Sequence, residues 1–281
     1  MAGESANGSG ETPRNDLASD LSPAAGENID PFELARRDMK GSLPKRFYTE
    51  AAAAPAEEGT GFCILLDGRP VRTPQRNLLL VPGEPLAQAL ADEWAAQDEH
   101  IDPAQMPLTR IVNSALDGVA REMLAVADDI VKYAGSDLLC YRAGEPETLV
   151  AEQAAAWDPV LAWMRDAHGA RFVLAEGVMF ASQPPEATKA FRKALEGIVD
   201  AGEEAGRPLR LAALHVMTTL TGSALLALAV AAGHLRPAQA WAAAHVDEDF
   251  QIRVWGEDAE AKARRARRWA DMDAAVRVLA G

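Results

Sequence analysis

Apolar residues change their spacing as the chain proceeds. Between Lys45 and Val81 they fall in short extended runs, Arg46–Tyr48, Gly61–Leu66, Arg69–Thr73 and Asn77–Val81, punctuated by Asp67-Gly68, Pro74 and Pro82. Asp-Gly supplies the positive φ angles of a tight hairpin turn, so this stretch predicts an antiparallel meander. From Glu84 the spacing becomes helical. Leu86, Leu90 and Trp94 recur every four residues to about Gln97, which predicts an amphipathic helix lying across one face of the meander. Asp98–Met106 reads as a linker.

Beyond the linker the pattern is almost entirely helical. Helices are expected over Pro107–Leu116, Arg121–Ala134, Pro146–His168 (interrupted or kinked at Pro159), Glu186–Glu204, Leu209–Ala232 and Pro237–Val246. Ser136–Tyr141 is short, apolar and able to extend the helix before it. Arg171–Phe180 reads as a small irregular or strand-like insert. Gly233 and Pro237 mark a tight helix–helix connection. The small residues Thr218, Thr219, Ser223 and Ala224 suit close packing in a bundle core. At the other end, Met1–Asp30 has too few large apolar groups to offset ordering and is expected to be disordered. Asp30-Pro31 starts a short helix through Met39, ended by Gly41. The fold class is therefore α+β: a tail over residues 1–30, an N-terminal meander-and-helix domain over 31–104, and a larger all-helical domain over 105–281.

The whole-chain balance narrows the function classes. A formal net charge of −14 on 281 residues repels phosphates, which disfavours nucleic acid and anionic membrane surfaces. The basic group Arg264, Arg265, Arg267 and Arg268 follows Glu257, Asp258 and Glu260, as in a helix carrying mixed ion pairs. Leu220–Leu235 is apolar but too short to span a bilayer and reads as a buried helix. Cys63 and Cys140 sit among apolar neighbours as buried thiols of a reducing compartment. The five histidines form no metal-ligand spacing, with His215 and His234 reading as core histidines. Asp137 is expected to pair with Arg142 or to end a helix, and Glu93 to form an ion pair on a helix surface. No catalytic constellation, cofactor motif or metal site is called for.

One stretch stands out, Val246–Asp258 (VDEDFQIRVWGED). Three successive acids, Asp247, Glu248 and Asp249, precede an apolar–polar run ending at Trp255. On a helix Glu248 shares a stripe with Ile252 and Trp255, and a carboxylate on an apolar face is costly unless paired. Two readings stay open: a helix cap plus helix–helix ion pair, or an acid that binds a partner.

Several blocks together resemble the ATP12 family of chaperones for assembly of the F1 part of ATP synthase. They are Lys45–Tyr48 (KRFY), Leu65–Pro74 (LLDGRPVRTP), and Glu93-Trp94 through Ile101 to Met106–Thr109. Further on come Asn113 with Ala115–Asp117, Ser136–Ala143 (SDLLCYRA), Gln153 with Trp157–Pro159, and Val246–Asp258. The resemblance implies a β-containing unit followed by a helical one, and a protein that is no enzyme and needs neither nucleotide nor metal. It also implies a job, keeping the free F1 α subunit soluble until the β subunit takes its place. The family's important C-terminal acid matches Glu248, so the expected partner-binding set is Glu248 with Asp247, Gln251, Trp255 and Asp258. A bacterial cytoplasmic setting and a free monomer are expected, with no nucleic acid and no membrane insertion. The rival readings are a helical adaptor for an unrelated partner and a small-molecule enzyme with carboxylates in an interdomain cleft.

Overall fold

Strand pairing begins at Ala51, in a segment whose composition does not announce it. The structure, a computed structural model, describes residues 43–57, 60–177 and 181–281. The expectations for residues 1–30 and for a helix over Asp30–Met39 lie outside them. Strand β1 (Ala51–Pro55) pairs antiparallel with β2 (Phe62–Leu66), Ala51 opposite Leu66 and Pro55 opposite Phe62. Four alanines carry no β preference, so the pattern hid β1. Asp67 (φ 46°) and Gly68 (φ 77°) turn the chain into β3 (Arg69–Pro70), and β4 (Leu80–Val81) pairs with the far end of β2. The expected longer strands here shrink to two residues each, joined by an Arg72–Leu78 bridge, because Pro70 cannot donate to a ladder.

Helix α1 (Glu84–Ala95) buries Leu86, Ala87, Ala89, Leu90 and Ala91 against β1, β2 and β4. The Glu93 carboxylate then reaches forward to the backbone N–H groups of Leu108 and Thr109, both at 2.8 Å. It thus caps α2 (Pro107–Ser114) from a neighbouring element, in place of the expected surface ion pair. A five-residue π turn, Ala115–Val119, follows α2. From it Asp117 reaches back to the β3–β4 loop, accepting from Thr73 Oγ1 (2.5 Å), Gln75 N (3.0 Å) and Asn77 Nδ2 (2.8 Å). That latch accounts for two of the sequence blocks at once.

The remainder is mostly helical. Helix α3 (Met123–Ala134) ends at Gly135 and does not extend through Ser136–Tyr141. Asp137 instead caps a single 3-10 turn, Leu138–Cys140. Strand β5 (Tyr141–Arg142) pairs in parallel with β6 (Ala175–Glu176), the one strand contact in this part among the described residues. Between them α4 (Glu147–His168) runs unbroken through Pro159. Helix α5 (Pro185–Val199) follows.

The expected single helix over Leu209–Ala232 is two, α6 (Arg207–Thr221) and α7 (Ala224–Ala231). Gly222 adopts φ 68°, a left-handed conformation open to glycine, and Ser223 Oγ accepts from Leu226 N at 3.0 Å to start α7. Asp137, fully buried, reinforces that start by accepting from Ser223 Oγ at 2.7 Å and Leu225 N at 3.1 Å. It therefore serves helix ends and not Arg142, which pairs with Asp158 at 2.7 Å. Burial pushes its carboxyl up to about 6. Helix α7 (ALLALAVA) is apolar all round and sits at the hub of the helical part, touching α3 to α6 and the next helix.

Helix α8 (Pro237–Ala244), α9 (Val246–Trp255) and α10 (Ala259–Ala280) complete the chain. One hydrophobic cluster extends from Tyr48 in the sheet region to Val278 in α10, and residues Pro44–Gly281 form one compact unit. Two details depart from expectation. His234 is exposed and stacks on Trp163 at 4.7 Å, because the Gly233 turn carries it out of the core. His215 is partly buried beside Asp129 at 3.0 Å. Among the described residues no helix is long and apolar enough to cross a membrane.

Candidate functional site

Helix α9 is held by two different neighbours, one for each outer acid of its first turn. Asp247 Oδ1 accepts from Gln153 Nε2 at 2.7 Å, and Gln153 Oε1 in turn accepts from Ala143 N at 2.8 Å. Two residues on, Asp249 takes a two-pronged hydrogen bond from Arg265 of α10 (the second prong 3.2 Å). Helix α8 is fixed in the same way, since the buried Trp157 donates Nε1–H to Ala243 O at 2.7 Å. Arg142 lies over the Trp157 ring, 5.2 Å from its centroid. The blocks around Ser136–Ala143, Gln153 and Trp157 thus form the seat on which the acidic helix rests.

Glu248, between the two fastened acids, is not fastened. Its side chain is 41% exposed, and its nearest titratable neighbour is His245, Nε2 to Oε2 3.8 Å. His245 is buried and its Nδ1 lies 2.7 Å from Trp241 O. A carbonyl only accepts, so Nδ1 carries the proton. Burial lowers the ring's affinity for a second proton, so at neutral pH Nε2 is an acceptor facing another acceptor. Glu248 therefore makes no salt bridge to a lysine or arginine among the described residues, although the Arg265 guanidinium, bonded to Asp249, lies near enough to feel its charge. The reading of the acid triplet as a helix–helix ion pair is fulfilled by Asp249.

Glu248 opens onto a groove between α9 and α10 of about 490 Å³. Trp241, Ile252 and Trp269 give it an aromatic and aliphatic wall, the two indoles edge-to-face at 5.4 Å. Gln251, Trp255 and Asp258 line the same groove, so four of the five expected partner-binding residues converge, while Asp247 is turned towards Gln153. Asp258 spends its carboxylate on the start of α10, accepting from Glu260 N at 2.7 Å. Trp255 is 85% exposed with Val254 beside it at 53%. A large apolar pair held out at a helix end is unusual for a surface with no partner. The sequence reading missed Trp241, Trp269 and Lys262 as groove residues; the helical register of α10 relative to α9 brings them in, and no local motif signals that.

The described residues show no comparable convergence of reactive groups around the thiols. Cys63 and Cys140 are both buried, and burial pushes the Cys140 thiol up to about 12, opposite to what a nucleophile needs.

A family model described as ATP12 chaperone protein matches residues 45–165. The fold matches the crystal structure of the Atu1473 protein of Agrobacterium tumefaciens with TM-score 0.79 and 52% identity, over 89% of this chain and 91% of that one. It matches Atp12 of Paracoccus denitrificans with TM-score 0.74 and 40% identity, over 84% and 97% of the two chains. An aspartate-to-lysine variant of that Atp12 matches to the same extent at 39% identity. The chain belongs to the ATP12 chaperone family.

Proposed function

We propose that this protein is a chaperone for assembly of the F1 sector of ATP synthase in a bacterial cytoplasm, holding the free α subunit until the β subunit replaces it. An unassembled subunit exposes interface surface that aggregates. Covering that surface with apolar contacts, while like charge keeps complexes apart, is sufficient for the task. The net charge of −14 serves the second need. The observation that carries the reading is the pairing of an exposed Trp255 with a half-exposed Glu248 that makes no Lys or Arg salt bridge among the described residues, at one groove, in a member of this family.

In this reading Trp255 and Val254 cover apolar client surface while Glu248 meets a basic group on α. Removing one partner of such a desolvated pair costs about 2–5 kcal/mol. The test is co-expression of the tagged protein with an isolated F1 α subunit. Soluble α retained on the tag is the expected result; α that precipitates equally with and without the protein overturns the proposal.

A further inference from the structure

A second surface, in the sheet region, has the opposite character. Arg46 is anchored by carbonyls alone. It donates Nε–H to Tyr48 O (3.1 Å), one Nη to Thr49 O (3.0 Å), and the other to Ala95 O (3.2 Å) and Gln97 O at the end of α1. The guanidinium also lies 4.7 Å from the Tyr48 ring centroid. This fastening fixes the backbone on either side of Phe47, so that Tyr48 turns in and Phe47 turns out. Phe47 is 73% exposed and packs edge-on against Tyr48 at 5.4 Å, which meets Trp94 at 5.8 Å.

These three rings line a cavity of about 480 Å³ together with Arg69 and Arg72, the latter donating one Nη–H to Arg76 O at 2.9 Å. Neither arginine has a carboxylate within 4.0 Å among the described residues. The one acid in the cavity, Asp67, is occupied. Its oxygens accept from Thr49 N (3.0 and 3.2 Å) and Glu50 N (2.8 Å), and those amides hold its carboxyl below the usual carboxylate range. At a rigidly presented aromatic ladder, two guanidiniums thus stand with no carboxylate of the described residues in salt-bridge contact, Asp67 reaching Arg69 only through its longer-range charge.

We propose that this pocket docks an acidic peptide segment that carries an aromatic side chain. The aromatic residue seats edge-on against Phe47 and Tyr48, where ring pairs gain beyond burial alone. Its flanking carboxylates take charge-assisted hydrogen bonds from Arg69 and Arg72, whose planar forks suit them. A long polyanion is disfavoured, since it would run past this patch into the acidic remainder of the surface. The inference does not rest on the α-subunit reading.

The test uses the full chain and fluorescein-labelled peptides followed by fluorescence anisotropy. The probes are Asp-Glu-Phe-Glu-Asp, the same peptide with Ala for Phe, and Lys-Lys-Phe-Lys-Lys. Saturable binding of the first is expected, weaker by about tenfold or more in the Arg69→Glu/Arg72→Glu double variant. Phe47→Ala and the Ala peptide should each weaken it as well, and Glu248→Lys should leave it unchanged, which separates this pocket from the groove of α9. Phe47 is exposed, so its substitution reports on binding even if the double variant fails to fold. Failure of the acidic peptide to bind, equal affinity in Phe47→Ala, or tighter binding of the lysine peptide overturns the proposal.

Discussion

Asp247, Glu248 and Asp249 are neighbours in sequence, but each is rotated by about 100° from the next on an α-helix. They therefore meet Gln153, open groove and Arg265 respectively. This gives a contrast that substitution can read. Glu248→Lys should leave the melting temperature within about 2 °C of the parent, since it breaks no salt bridge to a lysine or arginine, yet abolish retention of α. Asp249→Lys should cost about 1–2 kcal/mol of folding stability, because it sets a lysine against Arg265 on a partly exposed helix contact. Paired thermal melts and pull-downs check both; a large loss of stability in Glu248→Lys would make that acid structural. Trp255→Ala should likewise preserve the melt while weakening α retention at least tenfold, a change of about 1.4 kcal/mol, because a side chain 85% exposed contributes little to the fold. The triplet's oddity was legible in the sequence. Which acid stays unpartnered was not, because that is decided by Gln153 and Arg265, distant residues whose placement depends on packing and on no local signal.

At the scale of elements, legibility followed side-chain chemistry. The Asp67-Gly68 hairpin, α1 and the helical remainder were readable because turn residues and apolar spacing mark them directly. Strand β1 was not, since alanine carries no alternation to read, and the α6–α7 break lies inside an apolar run where Ser223 read as a packing residue and Gly222 drew no notice. Glu93 read as a surface ion pair and Asp137 as an Arg142 partner or a helix end; which helices they cap appears only once the elements meet. Asp137 yields a pH prediction. Its carboxyl titrates near 6 in the fold against 3.8 as the ordinary value. Below about pH 4 it is protonated in both states and costs nothing. As pH rises from 4 to 6 the unfolded chain ionises first, so the native state loses stability, by about 3 kcal/mol in all, and the loss levels off above 6. Urea unfolding across pH 4–7 should show that decline in the parent and a shallower one in Asp137→Asn; parallel profiles would exclude the effect.

On the scale of the whole molecule, charge is distributed with a purpose in the proposed role. A surface of net −14 attracts basic groups presented by a client from a distance, and salt shortens that reach. The association rate with α, followed by stopped-flow tryptophan fluorescence, should fall several-fold between about 50 and 500 mM salt, while the dissociation rate changes less. An association rate indifferent to salt would argue that apolar contact alone drives the encounter.

Helix α4 spans this body with Pro159 at its middle. That residue has no amide hydrogen to offer the Ala155 carbonyl, and its ring crowds the turn before it. The half ahead of it carries Gln153 and Trp157, which seat α8 and α9; the half behind it carries Met164 and Trp163. With one rung missing from an otherwise continuous ladder, the helix is weakest there, and the two halves are expected to open at different rates. Deuterium uptake should then proceed at distinct rates on the two sides of the proline. The acid-bearing edge could loosen to admit a client while the hub of the molecule stays closed.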